Sequence, residues 1–134
     1  MQNGQLVMPT GRTYKFELRR DFRGELKAPE TTIKNYPVQG FGADVMSIIR
    51  VSFAKRFRDA KIDGVIVNTV HDSIVCDISS SEISRVEALF HNVFRDFPAN
   101  FNRVFGVEFD LPLKCEVSVG KNMKELEEIT LDNQ

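Results

Sequence analysis

Two apolar, β-branched segments that flank a short polar segment are the feature of this sequence that most constrains its fold. The stretch runs from Val65 to Ile78, and its polar centre is His71-Asp72-Ser73. Valine, isoleucine and threonine fit a pleated, half-buried surface, and the turn signal Asp63-Gly64 precedes the first segment. The pattern predicts an antiparallel hairpin with the three polar residues at its tip.

Alternation in the second segment indicates which face of this hairpin is buried. Ile74, Cys76 and Ile78 alternate with other residues, and a period of two places them on one face of a strand, which we expect to lie on a core. Asp72 at the tip of a stiff hairpin is then held in a fixed position, as a metal ligand needs to be. The alternative is that Asp72 and Ser73 are only turn residues, because both types bond their own backbone in turns.

The remaining segments predict an α+β fold, an antiparallel sheet with a long helix and a second helix packed on one face. Pro37 to Ala60 carries apolar residues three and four positions apart, which predicts the long helix, and Ser81 to Pro98 predicts the second.

The polar stretch from Arg19 to Glu30 is predicted to be a loop, whose arginines are either phosphate contacts or solvated charges. Other predictions are strands at Gln5–Met8, Thr13–Glu17 and Leu111–Val119, a helical turn over Asn100–Phe105 closed by Gly106, and a polar tail over Lys121–Gln134 that is helical near Met123–Ile129.

Length, charge and cysteine content set further bounds. The 134 residues fit one domain, no apolar run is long enough to span a membrane, and the N-terminus has no signal-peptide pattern. Two cysteines without zinc spacing indicate an intracellular, cytoplasmic protein with free thiols. Basic residues outnumber acidic ones in residues 1–60, and the reverse holds in residues 61–134. This asymmetry is either scattered solvated charge or a basic surface that faces phosphates.

Four segments in order resemble one known family. Thr69 to Val75, with its Val-His-Asp, resembles motif C of the family A DNA polymerases, the bacterial polymerase I type. Asn35 to Asp44 resembles the Asn-x-Pro-hydrophobic-Gln-Gly-x-x-Ala-Asp motif at the start of the long palm helix in that family. Met8 to Arg12 resembles its Gly-Arg hairpin, and Leu111 to Gly120 resembles its last palm strand. The resemblance covers nearly the whole chain.

The resemblance implies that residues 1–134 are a single domain, the C-terminal part of a polymerase palm. It implies a hairpin and loop over residues 1–34, a palm core over residues 35–120 and a tail over residues 121–134. The free face of the sheet would then look at the DNA.

The resemblance also implies a catalytic role for Asp72 as the motif C metal ligand. Polymerases use two Mg²⁺ ions to stabilise the attacking and leaving oxygens of nucleotidyl transfer. The partner aspartate of motif A and the fingers helix that binds the dNTP have no counterpart in this sequence. We therefore expect the isolated chain to be inactive, as part of a longer polymerase or one chain of a split polymerase that needs a second polymerase chain.

Three residues are implied as contacts to primer-template DNA: His71, Gln39 and Asn35. Amide and imidazole donors can test base-pair geometry in the minor groove, where every correct pair offers acceptors at similar positions. The alternatives are a turn histidine, a solvated first-turn glutamine and an asparagine that caps the helix. Ser73 departs from the glutamate usual in the family, and this favours a phage-type member, which would act in the host cytoplasm.

Two rival interpretations stay open at this point. The chain is either a non-catalytic DNA-binding or assembly module that retains the palm fold, or an unrelated α+β domain whose His-Asp-Ser segment is only a turn. The second of these predicts that His71, Asn35 and Gln39 lie far apart.

Overall fold

The structure, a computed structural model, describes residues 4–129 and consists of two long helices and four hairpins. The α+β class is confirmed. In the described residues the strands pair as four separate two-stranded antiparallel sheets rather than as one sheet, each between strands adjacent in sequence. Short strands joined by short loops pair locally because closing a short loop costs little chain entropy. The elements are β1 (Gln5–Val7), β2 (Thr13–Lys15), β3 (Arg19–Arg20), β4 (Leu26–Lys27), α1 (Glu30–Asp59), β5 (Gly64–Val70), β6 (Ser73–Ile78), a 3-10 turn (Ser80–Glu82), α2 (Ile83–Phe105), β7 (Val117–Val119) and β8 (Glu127–Ile129).

Helix α1 begins seven residues before the predicted start at Pro37. Glu30 lies in the first turn, where a negative side chain interacts favourably with the helix dipole. A proline inside a helix removes one backbone hydrogen bond, but Pro37 is buried, and its packing offsets that loss. The predicted start was wrong because residues 30–36 lack apolar periodicity.

Helix α2 continues through Pro98, where the sequence predicted its end. Phe97 and Phe101 are both buried, on either side of the proline, and their packing holds the helix together there. The predicted helical turn over residues 100–105 is therefore the last part of α2. Gly106 ends the helix as predicted: its φ is +67°, and its N–H donates to the carbonyl of Asn102 at 2.7 Å.

The core lies between the two helices and is rich in phenylalanine. The rings of Phe53 and Phe90 stack with centroids 4.0 Å apart, and an ion pair of 2.7 Å between Arg56 and Asp96 also joins the helices. A single core is what a chain of this length can bury. Its buried members are Val45, Ile49, Phe53, Phe57, Ile62, Val86, Val93, Phe97, Phe101 and Phe109.

Hairpin β5–β6 covers part of this core with the face that the sequence predicted. Ile74, Cys76 and Ile78 are partly buried and pack against the core. Cys76 and Cys115 are both free thiols. Burial raises the pKa of Cys76 to about 11, so its thiol stays protonated and acts as a small apolar side chain.

Three smaller predictions need correction. The predicted loop from residue 19 to 30 contains the hairpin β3–β4. The predicted strand over residues 111–119 is a strand only at Val117–Val119. The predicted helix near residues 123–129 is wrong, because Glu127–Ile129 pairs with β7 as strand β8. A side chain at Gly120 would lie 1.9 Å from the carbonyl oxygen of Glu125, so this glycine permits the close turn between the two strands. The last part of the predicted tail, residues 130–134, lies outside the described residues.

Neither helix of the described residues combines the length and the apolar content that a membrane-spanning segment requires.

Candidate functional site

The tip of hairpin β5–β6 is a two-residue turn made of His71 and Asp72. Val70 pairs with Ser73 at the end of the ladder, and the Ser73 hydroxyl donates to the Val70 carbonyl at 2.9 Å. His71 has a φ of +49°, a left-handed conformation that histidine adopts more readily than most residues. His71 and Asp72 are both exposed. Their predicted location at the tip is confirmed, whereas Ser73 is the first residue of β6.

A register shift between Ile66 and Asn68 sets the direction of the side chains near the tip. Ile66 pairs with Cys76, whereas Asn68 pairs with Val75, so Val67 is the extra residue of a β-bulge. The bulge reverses the alternation of β5: Thr69 is half-buried, while Asn68 and Val70 are exposed. Beyond the bulge, the half-buried positions of β5 are therefore the odd-numbered ones instead of the even-numbered ones.

Asn35 and Gln39 lie on one exposed face of α1. They are four residues apart, a spacing that places side chains on the same side of a helix. Because α1 begins at Glu30, Asn35 lies in the second turn and Gln39 in the third. Asn35 is therefore not a helix cap, and Gln39 is not a first-turn residue.

The structure groups the four predicted residues into two exposed pairs. One pair is Asn35 and Gln39 on α1, and the other is His71 and Asp72 at the hairpin turn. Within residues 4–129, none of these four side chains is engaged in a hydrogen bond or an ion pair. Their polar groups therefore face solvent, and no polar contact joins the two pairs in the described part of the chain.

A second cluster fixes the β1–β2 turn to α1, and the sequence reasoning did not find it. The Asp44 carboxylate accepts hydrogen bonds from Arg12 Nε at 3.1 Å, from Arg12 Nη2 and from the Thr10 hydroxyl at 2.8 Å. The Arg12 guanidinium, through its hydrogen bond, holds the pKa of Asp44 below its ordinary value. The only signal in the sequence was that both residues belong to segments resembling the same family.

A close packing contact joins the same two segments near Gln39. A Cβ atom at Gly40 would lie only 1.4 Å from the Tyr14 hydroxyl oxygen, so no larger residue fits there without movement. The Tyr14 hydroxyl is buried and lacks a hydrogen-bond partner in the described part of the chain. Tyr14 of strand β2 therefore packs against α1 at the residue that follows Gln39.

No complete metal site is present in the described residues. Among residues 4–129, no group of three or more His, Cys, Asp or Glu side chains is placed to hold a metal ion. Mg²⁺ requires near-octahedral oxygen coordination, usually from one or two carboxylates together with waters and substrate phosphates. Asp72 fits one such ligand, and the described residues do not fit a complete magnesium site.

A surface groove of about 540 Å³ between α1 and α2 lies apart from the predicted residues. Its lining includes Ser47, Val51, Lys55 and Arg103 and none of the four predicted residues. The exposed turn and helix face described above therefore remain the candidate site.

Comparison with known proteins agrees with the resemblance seen in the sequence. The family model for DNA polymerase family A matches residues 1–125. DNA polymerase I of Mycobacterium tuberculosis (strain ATCC 25618 / H37Rv) is 29% identical over 109 residues, which cover 81% of this chain and 11% of the relative. The DNA polymerase of Bacillus phage SP01 is 29% identical over 101 residues, 74% of this chain and 11% of that protein. The thermostable DNA polymerase I of Thermus filiformis is 28% identical over 114 residues, 85% of this chain and 12% of that protein.

These matches define the chain as a polymerase-type α+β segment, and no solved structure gives a significant match. The chain belongs to DNA polymerase family A. It spans about a tenth of the length of the curated relatives it matches. Both bacterial and phage polymerases are among them, so the phage-type origin stays a prediction.

Proposed function

We propose that this chain forms the C-terminal part of the palm of a DNA-directed DNA polymerase, with Asp72 as a metal ligand of the catalytic site. The observation that carries the proposal is the β5–β6 turn, which presents His71 and Asp72 to solvent in a member of family A. The division into residues 1–34, 35–120 and 121–134 stays a prediction.

Asp72 has the placement that a catalytic ligand requires. It is exposed and has no hydrogen-bond partner in the described residues, and it stands on the longest hairpin of residues 4–129, which packs on the core. A carboxylate held on a rigid element keeps its position when substrate arrives. Asp72 would hold Mg²⁺, and the bound metal would supply positive charge beside the attacking primer oxygen and the leaving pyrophosphate. The role of this chain is to supply one ligand, and a second carboxylate has to come from elsewhere.

Asn35, Gln39 and His71 are proposed to contact the minor groove of primer-template DNA. All three side chains are exposed, and their amide and imidazole groups can donate hydrogen bonds. The minor groove offers purine N3 and pyrimidine O2 acceptors at equivalent positions in all correct base pairs. These contacts would therefore test pair geometry without reading sequence.

The nucleotide pocket and the second carboxylate are proposed to come from the rest of a polymerase. No segment of this sequence resembles motif A or the fingers helix. The remaining parts would belong either to the same polypeptide or to a second polymerase chain. We expect primer extension only when those parts are present.

Primer extension with a complementing polymerase fragment tests the proposal. The fragment carries motif A and the fingers, and it is mixed with this chain, primed DNA, dNTPs and Mg²⁺. We expect extension from the mixture and none from this chain alone. Asp72→Asn should abolish extension, whereas Asp77→Asn, a matched change at an exposed residue of the same hairpin, should retain it.

Binding of primer-template DNA tests the minor-groove contacts separately. Replacement of Asn35, Gln39 or His71 by alanine should weaken binding of duplex DNA. His91→Ala provides the control, because His91 is the other histidine of the chain and is exposed on α2. Equal affinity of His71→Ala and His91→Ala would remove His71 from the proposed interface.

A non-catalytic DNA-binding or assembly module is the second candidate. The observation behind it is the excess of basic over acidic residues in residues 1–60, which suits a DNA-binding surface whether or not Asp72 binds a metal. For such a module we expect an affinity for duplex DNA that falls steeply as the salt concentration rises. The activity of any assembly that contains this chain should not change in Asp72→Asn. Retained extension in that variant would therefore replace the catalytic proposal with this one.

A further inference from the structure

The hairpin β3–β4 is held by its own side chain and backbone contacts. The Asp21 carboxylate accepts hydrogen bonds from the backbone N–H groups of Arg23 at 2.8 Å and Glu25 at 3.0 Å, and from Lys27 Nζ at 2.8 Å. Gly24 has a φ of +76°, which glycine adopts without strain. The tip of this hairpin therefore has a defined shape although it is small.

Phe22 occupies the tip and is 91% exposed, the highest exposure of any large apolar side chain in the described residues. The guanidinium of Arg23 lies 5.2 Å from the centre of its ring. A single exposed apolar residue is common on protein surfaces. A phenylalanine held outward by an ordered turn and accompanied by arginine is a more specific arrangement.

The charges around the tip leave the arginines as its least compensated groups. Lys27 pairs with both Asp21 and Glu25, at 2.8 Å and 2.9 Å, so these three groups together carry one net negative charge, which the positive charges of Arg20 and Arg23 exceed. Arg20 contacts only the carbonyl oxygen of Gly24, and Arg23 contacts only the Phe22 ring. The exposed surface of the tip is therefore an aromatic ring with cationic groups beside it.

We propose that Phe22 and the adjacent arginines form a stacking site for a single-stranded segment of the DNA, separate from the minor-groove contacts. This inference builds on the proposed function, because it takes DNA as the partner of the chain. An exposed aromatic ring stacks on a base of any sequence, and neighbouring cations bind the phosphates. These are the two groups that the tip presents.

The position of the hairpin in the chain agrees with this partner. Only two residues separate Lys27 from the first residue of α1, so they lie within about 11 Å of each other. Asn35 lies about 7.5 Å further along the helix axis. A DNA molecule bound at Asn35 and Gln39 would therefore pass within reach of the hairpin. A protein partner would have to leave the Arg20 and Arg23 charges in water or pair them with acidic groups.

Tryptophan fluorescence gives a direct test, because the chain contains no tryptophan. Phe22→Trp preserves the aromatic ring and makes residue 22 the single indole. We expect addition of a single-stranded oligonucleotide to quench its emission and blunt duplex DNA to have little effect. Met123→Trp is the matched control, because Met123 is 67% exposed in the turn between β7 and β8, and its emission should not change.

Affinity measurements complete the test. Loss of one stacked base predicts that Phe22→Ala weakens binding of single strands by about 5- to 150-fold, with no change for Met123→Ala. Arg23→Gln should reduce the slope of log affinity against log salt by about 0.7, the contribution of one phosphate on a single strand. Both variants change exposed residues, so their unfolding midpoints should match that of the wild type.

Several outcomes would overturn this inference. The first is that the chain binds DNA while the emission of Phe22→Trp does not change and Phe22→Ala keeps its full affinity. A second is that the chain does not bind single strands at all. A third is that the fluorescence of Phe22→Trp changes when the complementing polymerase fragment is added without DNA, which would identify a protein contact. Primer extension in the complemented assembly and its loss in Asp72→Asn would still support the proposed function in each case, so the two failures are distinguishable.

Discussion

The Asp44 carboxylate in α1 accepts two hydrogen bonds from the Arg12 guanidinium beside strand β2, across 32 positions of sequence. Thr10 donates a third to the same carboxylate. This contact fixes the β1–β2 hairpin against the helix that also carries Asn35 and Gln39. It is the main polar link between the N-terminal hairpin and the helical core in the described residues.

Removing this link should destabilise the fold. Arg12→Ala leaves the Asp44 side chain, which is only 14% exposed, without its main partner. Because the Arg12 side chain is 49% exposed, water replaces part of the interaction, and we expect a modest loss of stability. Denaturant unfolding followed by circular dichroism measures this difference.

The surface pair of Glu30 and Lys34 provides the matched control. Both side chains are largely exposed on α1 and four residues apart, so Lys34→Gln should cost less stability than Arg12→Ala. A loss in Arg12→Ala no greater than in Lys34→Gln would show that the Arg12–Asp44 contact adds nothing beyond a surface ion pair.

The pH dependence of stability should report the same contact. The pKa of Asp44 is lowered in the folded state, chiefly by its hydrogen bond with Arg12, so the ionised carboxylate favours folding. This contribution is complete above the ordinary pKa of 3.8 and is lost as the pH falls through the lower folded value. Asp44→Asn should therefore lose less stability than the wild type as the pH falls below about 4.

The Arg12→Ala background shows whether Arg12 is the cause. There, Asp44→Asn should change the acid dependence much less, because the main partner that lowers the pKa of Asp44 is absent and only the hydrogen bond from Thr10 remains. The pKa values of Asp21 and Asp96 are lowered by their own partners, so all variants keep some acid dependence. An undiminished effect of Asp44→Asn in that background would assign the lowered pKa to another group.

Two glycines of α1 should respond in opposite directions to alanine. At Gly40 the new methyl group would meet the Tyr14 hydroxyl and ring, so we expect a loss of about 1–2 kcal/mol. At Gly42 nothing lies within 4 Å, and alanine should stabilise the helix by about 0.5–1 kcal/mol. Thermal unfolding of the two variants measures both effects.

The Tyr14→Ala background provides the control. In that background Gly40→Ala should cause no further loss of stability, and an additive loss would mean that the Tyr14 ring is not the obstacle.

The hairpin β5–β6 could be predicted from sequence because its determinants are local. The alternation of Ile74, Cys76 and Ile78 and the polar residues between the strands lie within one short segment. The bulge at Val67 carries no glycine or other local signal, so the exposure of Val70 did not follow from the pattern.

The helix ends and the Asp44 cluster could not be predicted in the same way. Pro98 normally ends a helix, and only the burial of Phe97 and Phe101 in the assembled core explains why α2 continues. Arg12 and Asp44 meet because β1–β2 folds against α1, and no spacing rule relates residues so far apart in sequence. Tertiary packing decides both features.

Substitutions at His71 separate its role in the turn from its proposed role at DNA. Its φ of +49° suits glycine, so His71→Gly should keep the stability within about 1 kcal/mol of the wild type. His71→Val should lose about 1–3 kcal/mol, because a β-branched residue is strained in that conformation. Unfolding measurements compare the two variants.

Binding of primer-template DNA is then measured for His71→Gly, in which the turn is intact but the imidazole is gone. We expect weakened binding there and full binding for His91→Ala. Full affinity of His71→Gly for the duplex would leave His71 as a turn residue alone.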